Sequence, residues 1–301
     1  MVNFVMDNSR KVVVDDIAIE YELDDYTEPW REDLPETVLL HHGYCRNMHF
    51  WRPWVPLLAD EFRVLRLSGR GCGGTTVPPQ QTPYTLERLV SDAIGLLDAL
   101  SIRRVVWVGE SSGGILGLAT ALAHPDRISA LVLCDTPFKI DDRVADAYNV
   151  GEADYASAIA KHGFKAWCLQ TLGYRIDLSR ASSSLQHWYV EQMGAAPEHI
   201  AVSHHLMAVD VDIWPRVGEI AAPTLIMVGA NSKLATAERM LAMRRTLPAA
   251  KLVTFAGFGH GINLIEPRRC VAEVRNFLTE ERARTSGGDT WRATPIADSR
   301  E

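Results

Sequence analysis

Short apolar runs alternate with amphipathic stretches along most of this chain. Thr37–His41, Phe62–Leu67, Val105–Val108, Ile128–Cys134, Pro223–Gly229 and Lys251–Phe255 are nearly continuous apolar segments of strand length. Such runs suit strands buried on both faces, the pattern of a parallel sheet. Between them, Leu86, Leu89, Val90, Ala93, Ile94, Leu97 and Leu100 form an i, i+3, i+4, i+7 stripe, which predicts a helix. Ile115, Leu116, Ala119, Leu122 and Ala123 predict another, as do Phe50–Leu58, Thr236–Leu247 and Pro267–Leu278. At the start, Lys11–Leu23 alternates apolar and polar residues around Asp15-Asp16, which predicts an antiparallel hairpin at a sheet edge. Asp24–Glu36 is acidic and reads as a loop. Repeated strand–helix units imply a mostly parallel sheet covered on both faces.

The alternation is interrupted once. Residues 138–214 look helical and irregular, with Phe164, Trp167, Tyr174, Trp188, Tyr189 and Met193 interspersed. The reading is therefore a core from 1–137, a helical lid at 138–214, the rest of the core at 215–281, and a polar Gly/Ser/Thr-rich tail at 282–301 read as disordered. The insert follows the sixth strand and would sit over the strand C-termini, where such sheets bind ligands.

Composition narrows the partners. With 301 residues, 47% apolar and 23% charged, the chain is long enough for a sizeable core and has ordinary globular values. A net charge of −7 argues against nucleic acid or an anionic membrane as the main partner. The five cysteines form no CxxC pair or disulfide framework, which points to a reducing compartment. The N-terminus lacks the apolar core of a signal peptide, and no apolar run reaches the length of a membrane span. A cytoplasmic protein acting on a small molecule is expected, with a homo-oligomer left open.

The candidate chemistry starts at Gly109-Glu-Ser-Ser-Gly113, directly between a predicted strand and a predicted helix. Gly-x-Ser-x-Gly in that setting is a nucleophile elbow. The glycines let two backbones approach, and the tight turn holds Ser111 above the sheet edge. His260, in the loop Gly257-Phe-Gly-His-Gly261, is the best candidate base. His41, His42 and His49, and the pair His204-His205, have no carboxylate or cysteine at a metal-ligand spacing. They read as packing, and neither a metal nor another cofactor is expected.

Five landmarks then occur in order: His42-Gly43, Arg70-Gly-Cys-Gly73, the elbow at Ser111, Pro223–Gly229, and Gly259-His260. With them the chain resembles an α/β-hydrolase from about residue 11 to 280. The resemblance implies a mostly parallel eight-stranded sheet with helices on both faces and a helical lid after the sixth strand. It also implies Ser111 as nucleophile, His260 as base, and an oxyanion hole from the backbone N–H groups of Tyr44 and Ser112. His42, Trp167 and Trp188 are assigned to the substrate pocket. The Arg70–Gly73 turn reads as structural.

The acid departs from the usual pattern. Where most members carry aspartate, three residues after Gly229, this chain has Ser232. Asp135, after the strand that follows the elbow helix, is the replacement, with Asp212 and Glu219 as rivals. That placement resembles zearalenone-type lactone hydrolases and the cofactor-free 2,4-dioxygenases of heterocyclic ring cleavage. Gly-Glu-Ser-x-Gly-Gly also occurs in plant hydroxynitrile lyases, but Phe258–Glu266 lacks the lysine those depend on, and Glu110 reads as a structural carboxylate.

The expected activity is cleavage of an ester or lactone of a moderately large apolar or aromatic substrate through an acyl-enzyme. A cofactor-independent dioxygenase using a His/Asp pair is the first alternative. Its loop resembles Gly43-Tyr-Cys-Arg-Asn47, but the elbow lacks the flanking histidines. A C–C bond hydrolase is a second, and a small-molecule receptor on the same fold is the non-enzyme alternative.

Overall fold

The strands assemble into one eight-stranded sheet in this computed structural model, which describes residues 9–137 and 142–287. They are β1 (Arg10–Val14), β2 (Ile17–Asp24), β3 (Thr37–His41), β4 (Arg63–Leu67), β5 (Val105–Glu110), β6 (Ile128–Cys134), β7 (Thr224–Gly229) and β8 (Ala250–Phe255). The order is β1-β2-β4-β3-β5-β6-β7-β8. The predicted hairpin is β1–β2, turning at Asp15 with φ 49°. It joins β4 antiparallel, and all further pairings are parallel.

The continuous apolar runs follow from burial on both faces. On one face Leu39, Leu65, Trp107, Leu131, Leu133 and Ile226 pack with Leu89, Leu96, Ile115 and Met240. On the other, Val38, Leu40, Val64, Val106, Val108 and Leu225 pack with Trp51, Trp54, Val274 and Phe277. Alternate residues of each strand thus enter different core layers, which keeps most strand positions apolar on both faces.

Helices α1 (Val55–Leu58), α2 (Leu86–Ala99) and α3 (Ser112–Ala123) belong to the first half. The predicted helix over Phe50–Leu58 is instead a 3₁₀ segment, Met48–Trp54, followed by the single turn of α1. Pro53 lacks the N–H that an α-helical ladder needs there. The insert carries α4 (Asp142–Tyr148), α5 (Tyr155–His162), α6 (Phe164–Gln170), α7 (Ser183–Gly194) and α8 (Glu198–Asp210) around its own core of Tyr148, Tyr155, Trp167, Tyr189 and Met193. Its expected first residues, 138–141, lie outside the described residues.

The second half supplies α9 (Ala237–Thr246), α10 (Ile262–Ile265) and α11 (Pro267–Gly287). Helix α11 passes the boundary expected at 281, and Arg282 pairs there with Glu61 at 3.0 Å and Glu36 at 3.2 Å. The rest of the expected tail, 288–301, lies outside the described residues.

Candidate active site

The elbow is assembled by local sterics. β5 ends at Glu110, and Ser111 sits at φ 52°, ψ −120°, immediately before α3. A Cβ on Gly109 would overlap the Gly113 carbonyl, and one on Gly113 would overlap the backbone of His41 and His42. Both positions therefore require glycine. The turn is pinned by Ser111 N–H donating to Cys134 O at 3.0 Å and Trp107 Nε1–H donating to Gly113 O at 3.0 Å. A non-glycine residue at positive φ costs on the order of 1–3 kcal/mol, a strain that concentrates at functional sites. The Ser111 hydroxyl makes no hydrogen bond among the described residues and lines a cavity beneath the insert.

His260 is buried in the loop between β8 and α10. Its Nδ1 meets Ser232 Oγ at 3.0 Å, and its Nε2 meets Glu110 Oε1 at 3.2 Å. Ser232 Oγ also accepts from Ala235 N–H at 3.1 Å. These contacts are mutually consistent when Ser232 donates to Nδ1 and Nε2–H donates to Glu110. Burial, with Arg46 and Arg175 nearby, pushes the imidazole well below its ordinary pKa. A neutral ring is the form that can accept a proton.

The carboxylates differ from the sequence expectation in what they touch. Asp135 was expected to orient the ring, but its hydrogen bonds go to the backbone: Gly229 N–H at 2.9 Å, Gly261 N–H at 2.8 Å and Ile262 N–H at 3.1 Å. It follows β6 at φ 46° and is fully buried, and burial pushes its carboxyl up to about 6. It thereby clamps the loop just after His260 to the end of β7. The ring itself is held by Ser232, at the position where the family's usual acid would stand. The hydroxyl supplies orientation without charge, a role that counting charges in the sequence could not reveal.

Glu110, read from sequence as a structural carboxylate, has two buried partners. Its buried carboxylate faces His260 and forms an ion pair with Arg46 from the loop after β3. Arg46, named in the sequence analysis only as part of the Gly43–Asn47 loop, lies two positions beyond Tyr44. The rival acids, Asp212 and Glu219, stand elsewhere: Asp212 caps the turn at Trp214 and Glu219 pairs with exposed Arg216. We expect Ser232→Ala to lower kcat/KM for an aryl ester by about 10- to 100-fold, the loss of one ring-orienting hydrogen bond. Steady-state kinetics on the folded variant checks it.

Ser112 N–H opens α3, and Tyr44 N–H lies in a turn; neither donates to a protein acceptor among the described residues. Both residues line the Ser111 cavity, together with Arg46, Ile115, Tyr148 and Arg175. The Tyr44 hydroxyl is occupied by Tyr155 and by Ala201 O at 2.7 Å. The other pocket assignments fall outside this cavity. His42 is fixed between Gly43 O and Gly69 N–H, both at 2.7 Å, and lines an adjoining cavity. Trp167 is buried in the insert's core with its Nε1–H on Tyr148 O at 2.7 Å. Trp188 packs on Phe50, over a surface depression near His49 and Leu185. The cavity measures about 40 Å³, room for only about three water molecules.

The remaining motifs pack within the fold, and His205 also lines the Ser111 cavity. Arg70 is buried and bidentate to Asp92, with both contacts at 2.7 Å, and bonds Asp16 at 2.9 and 3.0 Å. His204 packs on Tyr44 and Tyr84, and His205 stacks on Tyr155 at 3.9 Å.

Comparison with known proteins places this architecture. Residues 36–267 match the family described as the alpha/beta hydrolase fold. The chain belongs to that family. The hydrolase is 30% identical over 258 residues to the putative carbamate hydrolase RutD of Caulobacter sp. (strain K31), covering 82% of this chain and 92% of that protein. It superposes on a hydrolase from Pseudomonas aeruginosa PA01 with a TM-score of 0.74 at 29% identity, covering 91% and 99% of the two chains. An enol-lactonase from Burkholderia xenovorans LB400 shares the fold, with a TM-score of 0.80 at 24% identity over 90% and 100% of the chains. The protein is thus an enzyme of a hydrolase family, and none of its described helices is long and apolar enough to cross a membrane.

Proposed function

We propose that this hydrolase cleaves a carboxylic ester or lactone through an acyl-enzyme on Ser111. The observation that carries the reading is the strained Ser111 apex, with the unengaged N–H groups of Tyr44 and Ser112 on the same cavity. Ser111 Oγ adds to the acyl carbon while its proton passes to His260 Nε2. The oxyanion is held by the two N–H groups. The acyl C–O bond then breaks, and the proton moves from Nε2 to the departing oxygen. Water next adds to the acyl-enzyme, gives its proton to Nε2, and Ser111 leaves with that proton restored.

In this scheme the imidazole carries its proton on Nδ1, where Ser232 Oγ accepts it, and the unprotonated Nε2 turns from Glu110 toward Ser111, the residue next to Glu110 in sequence. The imidazolium then donates Nδ1–H to Ser232 and is balanced by Asp135. The charge of Glu110 is already countered by Arg46, whereas Asp135 accepts only from backbone amides among the described residues. Similarity to a putative carbamate hydrolase supports acyl-carbonyl chemistry in general, since carbamates and esters share the tetrahedral adduct. The aromatic side chains that suggested a large apolar substrate do not line the cavity, and a compact acyl group fits it better. The test is pre-steady-state cleavage of 4-nitrophenyl acetate. A burst of nitrophenol stoichiometric with enzyme supports the acyl-enzyme, and hydrolysis of ester or lactone with no covalent intermediate contradicts it.

A further inference from the structure

Four arginines are buried among the described residues: Arg46, Arg66, Arg70 and Arg175. Three of them meet carboxylates. Arg46 pairs with Glu110, Arg66 with Glu22 and Asp24, and Arg70 with Asp16 and Asp92. Arg175, in the insert, has no carboxylate partner among the described residues. Its Nη1 donates to Thr171 O and Thr171 Oγ1, both at 2.9 Å. Its guanidinium carbon lies 4.1 Å from the centre of the Trp167 ring and 4.9 Å from that of Tyr148. Its Nη2 is buried with no hydrogen-bond partner among the described residues. Removing a guanidinium from water without a counter-ion costs several kcal/mol, so such groups are normally paired.

The placement of this unpaired cation decides its meaning. Arg175 lines the same narrow cavity as Ser111, Ser112 and Tyr44. The stacked rings and Thr171 fix the guanidinium plane, leaving one edge unsatisfied. A planar fork of N–H donors matches a carboxylate, which can take two parallel hydrogen bonds from it. Arg46 is less suited, because Glu110 already occupies it.

We propose that Arg175 receives a carboxylate carried by the substrate, so that the enzyme's natural substrates are anionic acyl compounds bearing a free carboxylate. The assignment rests on the acyl-enzyme reading above for its use of esters. In this account the substrate itself completes the buried ion pair, and a neutral ester leaves Nη2 unsatisfied.

The test compares mono-4-nitrophenyl esters of the succinate-to-suberate series of dicarboxylic acids with their methyl-capped counterparts, after subtraction of enzyme-free rates. The best carboxylate ester should exceed its capped partner in kcat/KM by at least about 30-fold, the size of one charge-assisted contact. Arg175→Gln should bring that ratio close to one through a much larger fall for the carboxylate ester than for its capped partner, and Arg175→Lys should keep part of it. A wild-type ratio of one or less throughout the series overturns the proposal. So does an equal fall of both esters in folded Arg175→Gln, which marks a purely structural strut. If no ester is turned over, calorimetric binding of the same dicarboxylates to wild type and Arg175→Gln decides independently. Saturable binding lost in the variant supports the anion site, and no binding to wild type refutes it.

Discussion

Ser111→Ala is expected to lower kcat for ester cleavage by about 10⁴- to 10⁶-fold, the range found when a catalytic serine is removed from a triad. The folded state should change little. The Ser111 hydroxyl makes no hydrogen bond among the described residues, so its removal leaves no partner unsatisfied, and alanine is no more hindered than serine at φ 52°. The variant should keep its thermal midpoint to within a few degrees and lose the nitrophenol burst entirely. A variant that still gives a stoichiometric burst would show that the acyl group is carried elsewhere.

Asp135→Asn should have the second-largest effect, a fall in kcat of about 10²- to 10⁴-fold. The upper end is the loss seen when a triad aspartate touching the ring becomes its amide. The lower end reflects that Asp135 reaches His260 only through the amides of Gly261 and Ile262. The amide variant keeps one acceptor oxygen but turns an NH₂ donor toward backbone N–H groups, leaving buried donors facing one another. That costs about 1–3 kcal/mol for each unsatisfied group, so the thermal midpoint should fall as well.

The pH profile separates the charge from the fold. Asp135 must be ionised to balance the imidazolium, and burial pushes its carboxyl up to about 6. Wild-type activity should therefore be gained as pH rises through about 6. His260 is held well below its ordinary value, so it is already neutral in that range. In Asp135→Asn the residual activity should lose the inflection near 6 and decline only at lower pH. An inflection that stays near 6 in the variant would remove Asp135 from the charge-balancing role.

What was legible in the sequence was local or periodic. The runs Thr37–His41 and Ile128–Cys134 declared strands because both faces of the sheet are buried there. The elbow was legible because its glycines, its serine and its flanking elements are contiguous. Pro53 marked the one helix whose type the apolar spacing misjudged. What was not legible depended on contacts between distant residues. Ser232 meets a ring 28 positions away and Glu110 one 150 positions away. A serine in a loop and a glutamate at a strand end carry no local sign of either contact.

The insert was the hardest part to read, because its aromatic residues serve two purposes that composition cannot separate. Trp167 and Trp188 suggested a pocket, yet Trp167 supports Arg175 from behind and Trp188 packs near the surface. Arg175 itself gave only a faint signal, a single cation in Thr171-Leu-Gly-Tyr-Arg175, a stretch without an acidic residue. Asp177, two positions on, is committed to Gly259 N–H at 2.8 Å and so ties the insert to the His260 loop.

The most direct measurement is labelling of the folded wild-type enzyme with a serine-directed fluorophosphonate, followed by mass mapping of the adduct. The account predicts one stoichiometric adduct on Ser111, with loss of esterase activity in parallel with labelling. A folded, active enzyme that takes no label at Ser111, and consumes oxygen with aromatic hydroxyl substrates instead, would contradict it.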